Sequence, residues 1–229
     1  MKILKYMFIF IPISFIAKFL NASDSIMFIL SCLSIIPLAG LMGEGTEEIS
    51  FYSGPKIGGF LNGTFGNATE LIISFFALKE GLFDVVKSSI AGAVIGNILL
   101  VVGASMLAGG LKYKTQKFNQ KVSEVSSSML LFAVLGLCIP ALFTHTVDPK
   151  LLNTRYEGLS IFVAVVMIVI YALSLFFSFS THKHIYNNND EHEGNAKWSL
   201  KKAISILVIS TILIAIESEF LVNGIEPIT

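Results

Sequence analysis

GGFLNGTFGNATELIISFFALKE, residues Gly58–Glu80, is apolar enough to lie in a membrane, yet polar side chains crowd its middle. Asn62, Thr64, Asn67, Thr69 and Glu70 stand there, with Gly59, Gly63 and Gly66 beside them. On insertion scales a carboxylate at the bilayer centre costs roughly 2.5–3.5 kcal/mol. Something must offset that cost, and an intramembrane acid marks an ion or proton pathway by default. Asn67 and Glu70 are three apart, so on a helix they share a face. Gly66, directly before Asn67, marks a candidate break, and unwound carbonyls at such a break coordinate cations near the bilayer midplane. A hard divalent cation wants an oxygen cage of carboxylates, amide oxygens and carbonyls. Glu70, Asn67 and the backbone at Gly66 offer those donors, with Thr69 close by. The rival reading is a glycine-rich packing seam around one protonated glutamate. Glycine alone fits that rival; Asn-x-x-Glu in mid-span fits it poorly.

The rest of the chain suits the same medium. Of its 229 residues 54% are hydrophobic and only 14% charged, and the mean hydropathy is +0.75. That is the composition of an integral membrane protein. The formal net charge is zero, so no basic surplus suggests nucleic acid. Cys32 and Cys138 fall inside apolar runs and read as small core hydrophobes.

A spanning helix takes about 20 mostly apolar residues. Seven stretches qualify: Ile3–Leu20, Ser25 to about Phe51, about Pro55–Leu78, about Phe83–Leu111, about Val122–Phe143, about Glu157–Phe179 and about Leu200–Val222. The expected fold is therefore all-α, a polytopic membrane helix bundle. Residues 1–24 read as a retained helix or a signal-like segment; the lack of a small-x-small cleavage site favours retention. Pro55 suits a first helical turn. Residues 182–197 (HKHIYNNNDEHEGNAK) form the one long hydrophilic connection.

Lys and Arg in the loops set orientation. The amino terminus and the loops on its side hold eleven of the 16 basic residues. That places the amino terminus and the acidic loop in the cytoplasm, of a cell membrane if the source is bacterial.

Three further groups carry candidate chemistry. Glu44, Glu47 and Glu48 stand at i, i+3 and i+4, on one helix face. Three ionised carboxylates so close repel one another, which suits a proton relay or a cation vestibule; the alternative is a solvated helix end. Asn97, preceded by Gly96, puts an amide in mid-span that needs partners. A helix–helix hydrogen bond and a supporting role beside Asn67 and Glu70 both satisfy it. Glu217 and Glu219 follow an apolar run as Glu47 does, so Thr46-Glu47 and Ser218-Glu219 hint at a repeated element. Asp190, Glu191, His192 and Glu193 with His182 and His184 offer ligands for a regulatory metal, though a solvated acidic loop explains them better. No His-Glu-x-x-His or Gly-x-Ser-x-Gly motif is present, which argues against an enzyme.

GEGTEE (43–48), LNGTFGNATELI (61–72) and GAVIGNILLVVGASMLAGG (92–110) together resemble the calcium/proton antiporters, within the calcium/cation antiporter superfamily. The resemblance runs from about Ile35 into the last helix. It implies a first helix followed by two inverted repeats of five helices, joined by an acidic cytoplasmic segment. Residues 25–181 would be the first repeat, 182–197 the joining loop and 198–229 the first helix of a second. It also implies calcium leaving the cytosol against entering protons, with no cofactor besides the transported ions. Glu70 would bind calcium and protons in turn, Asn67 and the carbonyls near Gly66 would complete its half-site, and Asn97 would support it. Glu44, Glu47 and Glu48 would line the approach; Glu217 and Glu219 would line that of the second repeat. The second Gly-Asn-Ala-x-Glu segment is absent from these residues. The expectation is a complementary half on a second chain or in an oligomer; the alternatives are a truncated or non-transporting membrane protein, or an exchanger of sodium or manganese.

Overall fold

The computed structural model describes residues 2–146, 157–182 and 196–225. Among them every regular element is helical: α1 Lys2–Met7, α2 Phe10–Phe19, α3 Asp24–Phe65, α4 Ala68–Lys79, α5 Phe83–Gly96, α6 Gly103–Lys112, α7 Gln120–Thr146, α8 Glu157–Phe176 and α9 Leu200–Ile225. Wider π-helical turns join α5 to α6 at Asn97–Val102 and extend α8 through Phe177–Thr181. Among the described residues five helical stretches are long and apolar enough to cross a bilayer: Asp24–Gly54, Phe83–Lys112, Gln120–Phe143, Glu157–Thr181 and Leu200–Ile225. The fold is the all-α polytopic bundle that composition requires.

The other two apolar stretches are each broken. Ile3–Leu20 divides at Phe8 and Ile9 into α1 and α2. Pro12 accounts for this, because its ring would clash with the carbonyl of residue 8 in a continuous helix. The stretch from Pro55 divides at Gly66–Asn67. α3 also kinks at Gly54, where φ is 78° and ψ is 168°. That backbone is essentially reserved for glycine, and the following Pro55 disfavours the α region at residue 54 as well. Residues 182–197, expected as an acidic loop, lie mostly outside the described residues.

The chain forms two compact units, one of Met1–Lys112 with Gly194–Thr229, the other of Tyr113–Glu193. In the first unit α9 runs antiparallel along the first half of α3. Gly45 sits against Ala203 and Leu207, and Gly224 against Asp24 and Phe28. The two contacts are 21 residues apart on either helix, which at 1.5 Å per residue is about 30 Å, the thickness of the hydrocarbon layer. Small residues at both ends let the backbones approach closely, as membrane helix pairs require.

α4 folds back over the same pair. Ala68 and Ile72 pack on a cluster containing Leu38, Met42, Ala203 and Ile214. Farther along, Ala77 joins Ile35, Leu221 and Val222. α4 ends with Gly81 at φ 76°, where Leu82 N–H reaches the Ala77 carbonyl and Gly81 N–H the Leu78 carbonyl. This Schellman ending closes the turn into α5. In the second unit α7 and α8 pack where Gly136 admits Met167: a Cβ at Gly136 would meet its sulfur at 2.8 Å.

Candidate functional site

The break at Gly66–Asn67 is built so that its backbone stays hydrogen-bonded. The Asn67 N–H donates to the Thr64 carbonyl at 3.3 Å, one residue tighter than an α-helix. That leaves the Gly63 carbonyl without its usual donor. The Asn67 side-chain amide takes it, Nδ2 donating at 3.2 Å. The amide oxygen remains as the free end of Asn67, which is exposed. Gly66 is required here by close approach: a Cβ would lie 2.6 Å from the Asn62 carbonyl oxygen. α4 then starts, and Glu70 falls in its first turn. A helix amino terminus carries partial positive charge, a favourable place for a carboxylate.

Glu70 is half-buried, and its Oε2 lies out of solvent with no hydrogen-bond partner. One turn on, the Ser74 hydroxyl is equally buried and unpartnered. Thr69 is half-buried. Glu70, Asn67, Gly66 and Thr69 are thus held together around one helix start. Asn97 is not brought to them as a hydrogen-bond partner: it is exposed and opens the π-helical turn, while Gly96 closes α5.

The three acids of α3 divide. Glu47 is exposed and Glu44 half-buried. Glu48 is buried, and its Oε2 accepts the Lys197 N–H at 2.8 Å and the Trp198 N–H at 3.0 Å. One turn later Tyr52 donates its hydroxyl to the Trp198 carbonyl at 2.6 Å. Glu48 therefore anchors the segment entering α9, and Glu44 and Glu47 are left without that engagement. The likeness of the two helices holds in burial: Thr46 and Ser218 are both buried, Glu47 and Glu219 both exposed.

Glu217 is placed quite differently from Glu219. It is fully buried on the α3-facing side of α9, and Ser14 of α2 donates to its Oε1. The sequence sets Glu217 beside Glu219 and carries no motif that points to Ser14, Ser31, Ser34 or Ser74. The missed signal is a spacing: buried Ala203, Leu207, Ser210, Ile214, Glu217, Leu221 and Gly224 alternate four and three apart, the seam of a helix packed along another.

Comparison with known proteins adds the following. Residues 24–180 match the model of the sodium/calcium exchanger protein family. A Ca2+/H+ antiporter of Aphanothece halophytica is 42% identical over 236 residues, covering 96% of this chain and 63% of that protein. The Ca2+/H+ antiporter ChaA of Bacillus subtilis (strain 168) is 42% identical, covering 95% of this chain and 62% of that protein. Among solved structures, native YfkE superimposes with a TM-score of 0.77 at 36% identity, over 97% of this chain and 62% of that one. The chain therefore spans a little under two thirds of the length of these relatives.

Proposed function

The chain belongs to the sodium/calcium exchanger protein family, and on that premise we propose that it is part of a membrane antiporter exchanging cytosolic calcium for external protons. The names of the relatives support calcium and protons as the two ions, and transport instead of catalysis. The observation that carries the reading is Glu70. A carboxylate in the first turn of a helix that begins inside an apolar stretch, with one oxygen buried and unpartnered, is a group awaiting a cation or a proton. Calcium asks for several oxygen ligands. Glu70, the free amide oxygen of Asn67 and the backbone at Gly66 supply part of them, with Thr69 beside them.

Calcium and protons compete for the Glu70 carboxylate, and the helices rearrange to expose it to either side in turn. Glu44 and Glu47 draw cations toward the site from the cytoplasm, where the Lys and Arg asymmetry of the loops puts the amino terminus. The relatives extend beyond the matched portion by more than a third of their length. We assign the opposing carboxylate to that complementary portion, on the same polypeptide or on a second chain.

The test is calcium uptake into inverted membrane vesicles against an imposed proton gradient, with and without the complementary portion. Uptake is expected only in the complete assembly and is lost in Glu70→Gln. Full uptake by Glu70→Gln in the complete assembly would refute the role of Glu70; uptake by this chain alone would refute the need for a complement.

A further inference from the structure

A buried polar cluster of α2, α3 and α9 takes no part in the transport reading. Glu217 is 0% exposed, as are Ser14, Ser31 and Ser34. The Ser14 hydroxyl reaches Glu217 Oε1 and also lies 2.7 Å from the Ile11 carbonyl. Ser31 and Ser34 sit one turn apart on α3 and face the same carboxylate. Both lie within reach of it, yet neither closes a hydrogen bond of good geometry, and Glu217 Oε2 has none either. Among the described residues no basic side chain forms an ion pair with Glu217. Lys18, also on α2, lies instead over the Phe220 ring, 5.5 Å from its centroid. Three buried oxygens, Glu217 Oε2, Ser31 Oγ and Ser34 Oγ, are thus left without a hydrogen-bond partner.

Buried polar atoms are satisfied by protein, water or an ion. Here the donors are all oxygen, which selects a hard cation. The charge selects its valence: one carboxylate neutralises a single positive charge, whereas a divalent ion would leave one charge uncompensated in a dry interior. We propose that Glu217, Ser31 and Ser34 form a binding site for one sodium ion, with Ser14 holding the Glu217 carboxylate in place. Glu217 lies on α9 between Ile214 of one apolar cluster and Leu221 of the other, whereas Glu70 lies on α4. The proposal does not rest on the transport reading. A bound ion ties α9 to α3 in one register.

The test uses the full chain in detergent micelles, with sodium replaced by choline at constant ionic strength. Melting temperature and binding of radioactive sodium are measured together. The expected result is a saturable rise in melting temperature with sodium, unchanged in Glu70→Gln. Glu217→Gln keeps the shape and the Ser14 contact but removes the charge, and is expected to abolish the response. Ser34→Ala is expected to weaken sodium at least tenfold. Ser34→Cys, which keeps the volume but offers a soft donor, should weaken it too. No difference between sodium and choline, or a full sodium response in Glu217→Gln, overturns the proposal. So does a melting temperature that follows pH and ignores sodium, since the carboxyl then holds only a proton.

Discussion

Two glycines on the α3–α9 seam make opposite predictions for the same substitution. A Cβ at Gly224 would lie 2.8 Å from the Asp24 carbonyl oxygen and 3.1 Å from both the backbone nitrogen and the Cβ of Phe28. Most of those atoms are backbone, so no rotamer change relieves the clash and the helices must part. Overpacking of this kind costs about 1–3 kcal/mol. A Cβ at Gly45 would lie 3.4 Å from the Ala203 carbonyl oxygen and 3.5 Å from the Leu207 nitrogen, which is ordinary contact. There the alanine also gains helix propensity, up to about 1 kcal/mol over glycine. Gly45→Ala is therefore neutral to stabilising, and Gly224→Ala destabilising by about 2 kcal/mol, a factor of roughly 30 in the unfolding equilibrium. The assay is reversible unfolding in mixed micelles with rising denaturing detergent, followed by the fluorescence of Trp198, the only tryptophan. If both substitutions shift the midpoint in the same direction, the close approach of α9 to the start of α3 is wrong.

Two further predictions concern the site and its approach. Glu48→Ala removes the acceptor of the Lys197 and Trp198 N–H groups, and Tyr52→Phe removes the hydroxyl that holds the Trp198 carbonyl. Charge-assisted hydrogen bonds are worth about 1.5–3 kcal/mol, so Glu48→Ala should expose Trp198 to acrylamide quenching more than Tyr52→Phe does; equal quenching in both variants and the wild type would rule out this anchor. Gly66→Ala drives a Cβ to within 2.6 Å of the Asn62 carbonyl and should displace the start of α4 together with Glu70. Calcium uptake in the complete assembly is expected to fall at least tenfold, and unchanged uptake would show that the break does not position the carboxylate.

The sequence made the helices legible because hydropathy reports which segments leave water. It also made two interruptions legible, since Gly54-Pro55 and Gly66-Asn67 carry backbone chemistry that disfavours a continuous helix. Pro12 carries the same information for the break at Phe8 and Ile9, but the apolar run around it masks the interruption. Neighbourhood was harder to read. Apolarity does not say which helix lies beside which, so Glu48 read as part of an acidic approach although it holds the entry to α9. For the same reason Glu217 was grouped with Glu219, two residues away, although one is buried and the other exposed. The polar partner of Glu217 comes from Ser14, 203 residues earlier, a distance over which no local pattern carries information.

The buried Glu217 also bears on the order in which the protein is made. During synthesis α9 enters the bilayer after α2 and α3, when those helices already stand there. Lipid tails are as apolar as leucine, so greasy surfaces alone give a late helix little reason to prefer one resting place. A carboxyl group facing lipid is expensive, and the serines of α2 and α3 offer it shelter at one height. The arriving helix thus carries its own address: sliding or turning away from that height leaves the acid facing lipid.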